Sequence, residues 1–362
     1  MNIRTMAERL GMSARTIRFY EQKGLLKPER NTENDYRIFT EADAWRLQLI
    51  AALRELDVPL EEISRLMEEL LESPIGESRE TGVDASRVEP FLAYLNVQRS
   101  LTYRRWVEMK GLLVHLDELI EQAADAGGLR LEQLFELARK SKAIREARSG
   151  WADRWRFDER AADFDETVRR AEGVQQLAPA HAYDRLLEET AAAVNPVAGE
   201  RGLDLGTGTG NLAVKLMAAG VRMAGVDQSA EMLKVCKAKH PGLDTKLGNL
   251  MAVPFFDGEF DLVVSSFALR HLTVEQLPLA LEEIARVLKP GGRVALLDAM
   301  LEDTEQRNGW LERNGDGERA QGEGTFPVRK QLLDWFRSHG FVAYAQRLEG
   351  EWLSLVVAVK RV

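Results

Sequence analysis

The stretch Leu203-Asp204-Leu205-Gly206-Thr207-Gly208-Thr209-Gly210 constrains this chain more than any other. It reads as the end of a buried strand, a turn carried by glycines at alternate positions, and the start of a helix at Asn211. Glycines let the main chain turn sharply and let a ligand come up to bare backbone. The helix that follows directs free N–H groups and the positive end of its dipole at whatever lies over the turn. A glycine turn alone is a weak signal, so its company decides. A strand over 222–226 ends in Asp227, and an acid about twenty residues past the turn, at the tip of a second strand, suits the two hydroxyls of a ribose. Further strands are expected over 245–247, 260–265 and 293–297, with helices over 274–288 and 329–339 and two closing strands over 341–346 and 352–360. Strands alternating with helices imply a mostly parallel sheet covered on both faces.

With 362 residues the chain suits two to three domains. A hydrophobic content of 45% with 30% charged residues describes a soluble globular protein. The one cysteine, Cys236, excludes a disulfide within the chain and a cysteine-rich metal site. Met1-Asn2-Ile3-Arg4 leads into polar helical sequence without an apolar targeting region, and no apolar run approaches the ~20 residues of a membrane span. A cytoplasmic protein with no membrane and no metal is expected. The net charge of −9 argues against a chain coated with nucleic-acid-binding surface but leaves room for a local basic patch.

Such a patch lies near the N-terminus. A short helix over 5–10, a turn at Gly11-Met12, and a second helix over 14–23 capped by Ser13 form a helix-turn-helix, whose second helix can enter a major groove. Arg15 and Arg18 share one face of that helix while Ile17 points inward. Residues 28–39 alternate polar and apolar types around Asn31, Asn34 and Asp35, as a hairpin wing does. Thr40 with Asp43 opens a further helix as a capping box, and Leu60-Glu61-Glu62-Ile63 begins another after Pro59. Taken singly, two arginines on a helix face are ordinary solvated charge; the wing beside them points to DNA.

The words Ser13-Ala14-Arg15-Thr16-Ile17-Arg18-Phe19-Tyr20-Glu21, Gly24-Leu25-Leu26-Lys27-Pro28, Tyr36-Arg37 and Val58-Pro59-Leu60-Glu61-Glu62-Ile63 resemble the MerR family of transcriptional regulators. The resemblance implies that Arg15, Thr16 and Arg18 touch double-stranded operator DNA and that Tyr20, Tyr36 and Arg37 grip phosphates. Two departures stand out: Phe19 replaces a customary tyrosine, and the wing turns on Asn34-Asp35 instead of Asn-Gly.

Residues 76–82 read as a turn. Leu92, Leu95, Arg99, Thr102, Trp106, Met109, Leu113, Leu116 and Ile120 then follow steps of three and four, the seam of a coiled coil. A helix over 88–120 would be about 50 Å long at 1.5 Å per residue, and such a stripe needs a partner. MerR relatives dimerise at this point, so a homodimer through this helix is expected; packing on the chain's own C-terminal domain is the alternative. Residues 123–128 break the helix, and 131–148 form an amphipathic linker helix.

For the C-terminal part, the glycine turn, Gly225-Val226-Asp227-Gln228-Ser229, Phe260-Asp261-Leu262-Val263-Val264-Ser265 and Leu288-Lys289-Pro290-Gly291-Gly292 strongly resemble class I S-adenosylmethionine (SAM) methyltransferases, over essentially all of 151–362. A nicotinamide-binding domain would show Gly-x-Gly-x-x-Gly instead. By resemblance, Gly206, Thr207, Gly208 and Gly210 approach the methionine part with Asp204 near its ammonium, and Asp227 holds the ribose. Gln228 and Met232 flank the adenine, Asn249 and Leu250 meet its edge, and Ser265 completes the set. Many relatives carry Asp where Asn249 stands; its amide oxygen can still accept from the adenine amino group.

The acceptor is less legible. No Asn/Asp-Pro-Pro-Tyr run of amine-methylating DNA enzymes follows the fourth strand, which continues Ser265-Ser266-Phe267-Ala268-Leu269-Arg270-His271-Leu272, and Cys236 reads as a packing residue. A small molecule is expected. Residues 151–168, with Phe157-Asp158 and Phe164-Asp165, read as a cap, and 302–325 as either a lid or a surface loop. His271 is the sole candidate general base, with a structural role its rival reading. The expectation is a multidomain chain. An all-α, winged helix-turn-helix domain spans 1–75, a dimerisation helix 76–125, a linker helix 126–150 and an α/β Rossmann-like methyltransferase 151–362. The alternative function is a regulator that senses SAM or S-adenosylhomocysteine without turnover.

Overall fold

Capping chemistry sets the first helices. In the computed structural model, which describes residues 1–31, 34–55, 58–71, 85–125, 128, 131–149, 155–170, 182–314, 326–348 and 352–362, Asn2 caps α1 (Ile3–Leu10) by accepting from the Thr5 N–H at 2.9 Å. Gly11 ends that helix at φ 64°, and Ser13 opens α2 (Ala14–Gln22) by accepting from the Thr16 N–H at 3.0 Å. The wing is a two-residue antiparallel ladder, β1 (Glu29–Arg30) on β2 (Arg37–Ile38). Asp35 turns it at φ 57°, held by Arg30 at 2.7 Å, while the Asn34 side chain accepts from the Tyr36 N–H at 3.1 Å. A short Asx residue does here what glycine does elsewhere. The capping box at α3 (Glu41–Glu55) is reciprocal: the Thr40 N–H donates to Asp43 at 2.8 Å, and the Asp43 N–H donates to the Thr40 hydroxyl at 3.2 Å. With α4 (Leu60–Leu71), these elements enclose a core of Met6, Ile17, Leu26, Phe39, Leu47, Ile50, Leu53 and Ile63, and a two-pronged Arg9–Glu41 ion pair ties α1 to α3.

The chain forms two compact units, residues 1–95 and 96–362. Helix α5 (Ala85–Asp125) starts in the first and continues in the second; the turn expected over 76–82 lies outside the described residues. Within the second unit, part of the expected seam is already used. Trp106 packs edge-on against Phe256 at 6.0 Å with the Arg286 guanidinium 5.0 Å from its ring centre, and Tyr103 lies 5.6 Å from Phe256. Lys110 pairs with Asp257. Arg99 faces Asp244 and Tyr103, and Thr102 donates back to the Gln98 carbonyl at 2.8 Å. Intrachain packing therefore takes Trp106, whereas Met109, Leu113 and Ile120 stay exposed. The linker helix α6 (Leu131–Ser149) is fastened at its end by Gln276, whose amide donates to the Ala147 carbonyl at 2.9 Å.

Two short helices, α7 (Phe157–Arg160) and α8 (Phe164–Arg169), precede α9 (Tyr183–Ala193). Then come β3 (Arg201–Leu205), α10 (Asn211–Ala218), β4 (Arg222–Asp227), α11 (Ala230–Lys239), β5 (Asp244–Leu247), β6 (Phe260–Ser266), α12 (Gln276–Val287), β7 (Leu288–Ala299), α13 (Thr304–Asn314), α14 (Arg329–Ser338), β8 (Phe341–Arg347) and β9 (Leu353–Lys360). The strands order β5-β4-β3-β6-β7-β9-β8, parallel except for β9, which runs antiparallel to both its neighbours. Alternate residues face opposite layers. Leu203, Leu205 and Val263 pack with α12 and α14, whereas Leu262 and Val264 pack with α9 and α10. β7 begins five residues earlier than the sequence suggested, through Lys289-Pro290-Gly291-Gly292, with an irregular register between Phe260 and Leu262. Residues 304–314 of the expected lid are helical, and 315–325 lie outside the described residues. No helix among the described residues is long and apolar enough to cross a membrane.

Candidate cofactor site and DNA-contact face

Between β3 and β6 the direction of sheet winding reverses, and in open α/β sheets the crevice at the carboxyl ends of such strands is where ligands bind. The glycine turn leaves β3 at this point. Gly206 has φ 71°, and a Cβ there would stand 2.5 Å from the Ala268 Cβ, so only bare main chain fits. Gly206, Thr207, Gly208, Asp227, Gln228, Met232, Asn249 and Leu250 line a single cavity. Three of the expected residues do not. Gly210 starts α10 at φ 88°, where a Cβ would come within 2.9 Å of the Cys236 sulfur, so its role is packing. Ser265 is buried with its hydroxyl donated to the Leu205 carbonyl at 2.7 Å; the strand's period of two gives the cavity to Ser266 instead. Asp204 sits fully buried behind the turn, accepting from the Thr207 hydroxyl at 2.9 Å.

Asp204 carries the most informative electrostatics. Its Oδ1 has no hydrogen-bond partner among the described residues, and burial pushes its carboxyl up to about 7. A buried acceptor left open is costly, and a cation held at the turn in front of it would favour its charged form. Asp227 accepts from the Gly208 N–H at 2.8 Å on one oxygen and from the Ser229 N–H at 2.9 Å on the other. A carboxylate has about four lone-pair sites, so capacity for ribose hydroxyls remains. Asn249 accepts from the Met251 N–H at 3.0 Å, which commits one lone pair of its amide oxygen and fixes the amide in place. Open backbone, a buried acid with one unsatisfied oxygen and a ribose-type acid at the next strand tip together fit SAM.

The two Phe-Asp pairs act as latches. Asp158 accepts from the Ser229 hydroxyl at 2.6 Å, and Ser229 in turn caps α11. Asp165 accepts from the Thr209 hydroxyl at 2.6 Å and the Asn211 amide at 2.8 Å, and pairs with Lys239; these bonds outweigh burial and hold its carboxyl below the usual range. The segment bearing α7 and α8 is thereby fastened to the loops after β3 and β4. It contributes Trp155, Phe157, Arg160 and Phe164 to the cavity.

Opposite, Phe267 follows β6 in the left-handed region at φ 56°, and its ring stacks on Tyr183 at 6.1 Å. A non-glycine residue held there at a site is stored strain with a positional purpose. His271 lies edge-on between Trp155 at 4.5 Å and Phe157 at 5.2 Å. Burial, then Arg270 and Arg160, push its imidazole down to about 3, so it stays neutral at ordinary pH and is a weak base. Periodicity carried no sign of this aromatic wall, because its members come from three stretches far apart in the chain, 155–164, Tyr183 and 267–271; the Phe-Asp repeat was the one available signal.

In the first unit, Arg15 and Arg18 are exposed on α2 and Tyr36 is 74% exposed on the wing. Tyr20 is a core residue, 8% exposed, because its position falls on the buried face with Ile17. The Arg37 Nε donates to both Glu21 oxygens, at 2.9 and 2.7 Å, and the Thr16 hydroxyl is tied to that of Ser13 at 2.7 Å. The structure thus leaves Arg15, Arg18 and Tyr36 as the freest of the six expected DNA-contacting side chains.

Residues 1–70 match the family described as MerR HTH family regulatory protein, and residues 203–296 the one described as methyltransferase domain. Over 215 residues the chain is 30% identical to an uncharacterized methyltransferase of Bacillus velezensis, covering 57% of this chain and 96% of that protein. An uncharacterized methyltransferase of Oceanobacillus iheyensis is 28% identical over 204 residues, 56% of this chain and 83% of the relative. A demethylmenaquinone methyltransferase of Renibacterium salmoninarum is 36% identical over 146 residues, and there the chain spans 60% of the relative's length. The chain belongs to the SAM-dependent methyltransferases and carries, ahead of that domain, a MerR-type helix-turn-helix regulator domain.

Proposed function

We propose that the methyltransferase domain acts on a small apolar or aromatic molecule, and that filling its cavity alters operator binding by a homodimer joined through residues 88–120. The observation that carries the acceptor class is the wall of Trp155, Phe157, Phe164, Tyr183 and Phe267 beside the glycine turn, roofed by a segment latched through Asp158 and Asp165. A slot of this kind suits a flat molecule and excludes a duplex. The relatives named for demethylmenaquinone make an aromatic ring the first acceptor to test.

SAM supplies a methyl group already activated on sulfur; the carbon–sulfur bond breaks as the bond to the acceptor forms. The residues bind, align and keep the cavity dry. Asp204, behind the turn, offers its charge to the ammonium, Asp227 takes the ribose, and Asn249 with Leu250 the adenine edge. Asp227 is the one carboxylate among the described lining residues, and it is committed to the cofactor. With His271 a weak base, the reading favours an acceptor atom that attacks without help from a protein base, such as a thiolate, an amine lone pair or an electron-rich ring carbon, the last two losing their proton to water after the methyl group has moved.

In this reading residues 1–75 contact DNA, with Arg15 and Arg18 at base edges and Tyr36 at a phosphate. Residues 76–125 join two copies, 126–150 link, and 151–362 transfer methyl, all in the cytoplasm. The exposed Met109, Leu113 and Ile120 support the pairing, and a two-fold dimer suits a palindromic operator. Coupling requires that a ligand bind one DNA-binding geometry better than another. The test is label transfer from methyl-labelled SAM to a panel of aromatic compounds, with DNA from upstream of the coding region present. Label in an aromatic compound and a several-fold change in DNA affinity with SAM support the proposal. Label in the DNA overturns the acceptor class. A change in DNA affinity with no labelled product favours the sensing alternative, which the fusion itself supports, since regulation needs binding and not turnover.

A further inference from the structure

A second cavity, of about 670 Å³, lies in the methyltransferase unit away from the glycine turn, between the middle of α5, the end of α6 and α12. Its apolar surface includes Val107, Val114 and Ile144. At its inner end stands Arg148, 6% exposed, which makes no hydrogen bond or ion pair among the described residues; its Nε is buried without a partner. The nearest acids, Glu283, Glu282 and Glu108, favour its charge from a distance but give it no hydrogen bond. Glu283 is consumed by Arg286 at 2.6 Å and by the Val253 N–H at 2.8 Å, while Glu282 and Glu108 keep contact with solvent. The Ser141 hydroxyl, also on the cavity, is a second buried polar atom with no partner. A guanidinium taken out of water without an acceptor is among the costlier things a fold can hold.

Gly111 opens the space. It lies in the interior of α5, where glycine destabilises a helix relative to alanine. No packing demands it, because a Cβ there would meet nothing within 4 Å, and its φ is not in the left-handed region. The missing side chain leaves room along the cavity wall and nothing else.

We propose that this cavity is a second ligand site, distinct from the methyl-transfer site, for an amphipathic organic anion whose acid group pairs with Arg148 and Ser141 and whose apolar body lies against Val107, Val114 and Ile144 beside Gly111. The planar fork of an arginine matches a carboxylate's two oxygens, and the apolar walls reward a hydrocarbon body. Burial decides the sign of the ligand. Arg148 is 6% exposed with its Nε unpaired, whereas Glu108 and Glu282 stay in contact with solvent.

Decanoate, titrated into the full chain by calorimetry, is the probe, with decyltrimethylammonium as the cationic control of equal chain length. Saturable decanoate binding that weakens at least tenfold in Gly111→Leu and in Arg148→Gln, with SAM affinity unchanged, supports the site. Gly111→Leu fills open space and raises helix propensity, so it keeps the test valid where Arg148→Gln fails to fold. Absence of saturable binding, equal affinity for the cationic control, or decanoate binding unchanged in Gly111→Leu overturns it. Light scattering runs alongside: a dimer that Gly111→Leu converts to monomer, with no decanoate bound by the wild type, would mean that a second copy covers the cavity.

Discussion

In the helix-turn-helix unit, Arg15, Arg18 and Tyr36 stand in solvent at the tips of α2 and the wing. In the methyltransferase unit, Asp204 is sealed behind a turn and Asp227 already accepts two backbone N–H groups. In the proposed reading, one unit presents side chains to a long polyanion that arrives from outside. The other presents main chain, in a crevice where Asp227 and Asn249 are positioned by backbone N–H groups before a ligand enters. Loss of a presented side chain therefore weakens binding by its own contact, whereas loss of a positioned acid removes its contact and disturbs the turn it organises.

The sharpest way to break this contrast is Asp227→Ala. It removes the carboxylate proposed to hold the ribose and releases the Gly208 N–H, so SAM affinity should fall on the order of 100- to 1000-fold, as two or so charge-assisted hydrogen bonds would give. Calorimetry reads it, and undiminished affinity would remove the basis for the site. Next in size is Arg18→Ala, expected to weaken operator binding about tenfold and to lower the slope of log affinity against log salt by about one. SAM binding should be untouched; an unchanged slope would return Arg18 to the ordinary solvated face.

A smaller effect concerns protons. Since burial lifts the Asp204 carboxyl to about 7, an ammonium placed beside it favours ionisation. SAM binding should release more protons to the buffer at pH 6 than at pH 8, measured as calorimetric heat in buffers of different ionisation enthalpy. Asp204→Asn should abolish the difference. The sign for folding is fixed too. The free chain's Asp204 contribution to stability is complete below about 4, the unfolded value, and is lost as pH rises through 7, because the unfolded carboxyl ionises first. Smallest of all is Asp35→Gly in the wing, which relieves a positive φ but loses the exposed Arg30 pair. Thermal unfolding should shift by less than about 1 kcal/mol in either direction.

Much of the architecture was written locally. Ser13, Asn34-Asp35 and the Thr40–Asp43 box each specify their own turn or cap, so the helix-turn-helix and wing followed from short words. The glycine turn and Asp227 were legible for the same reason. Long-range facts were not. That Tyr20 faces inward, or that Ser266 and not Ser265 meets the cavity, depends on which side of an element the rest of the fold covers. The seam on α5 shows the limit of periodicity, since a stripe with steps of three and four announces that something will cover it without naming what. Phe256 and Arg286 cover Trp106, from positions more than a hundred residues away. The aromatic wall was hidden too, because Trp155, Tyr183 and Phe267 acquire a common meaning only in space.

The latched segment before α9 divides its labour residue by residue. Asp158 and Asp165 grip the cofactor loops, while Trp155, Phe157, Arg160 and Phe164 face the cavity. Docking and selectivity are thus encoded in the same short stretch but at different letters. A lineage could rewrite the rings and inherit a new acceptor while the two aspartates keep the roof seated. Drift in acceptor choice then needs no change to the sheet, the glycine turn or the helix-turn-helix unit, and the methyltransferase can be retuned to a new acceptor through one exchangeable cassette.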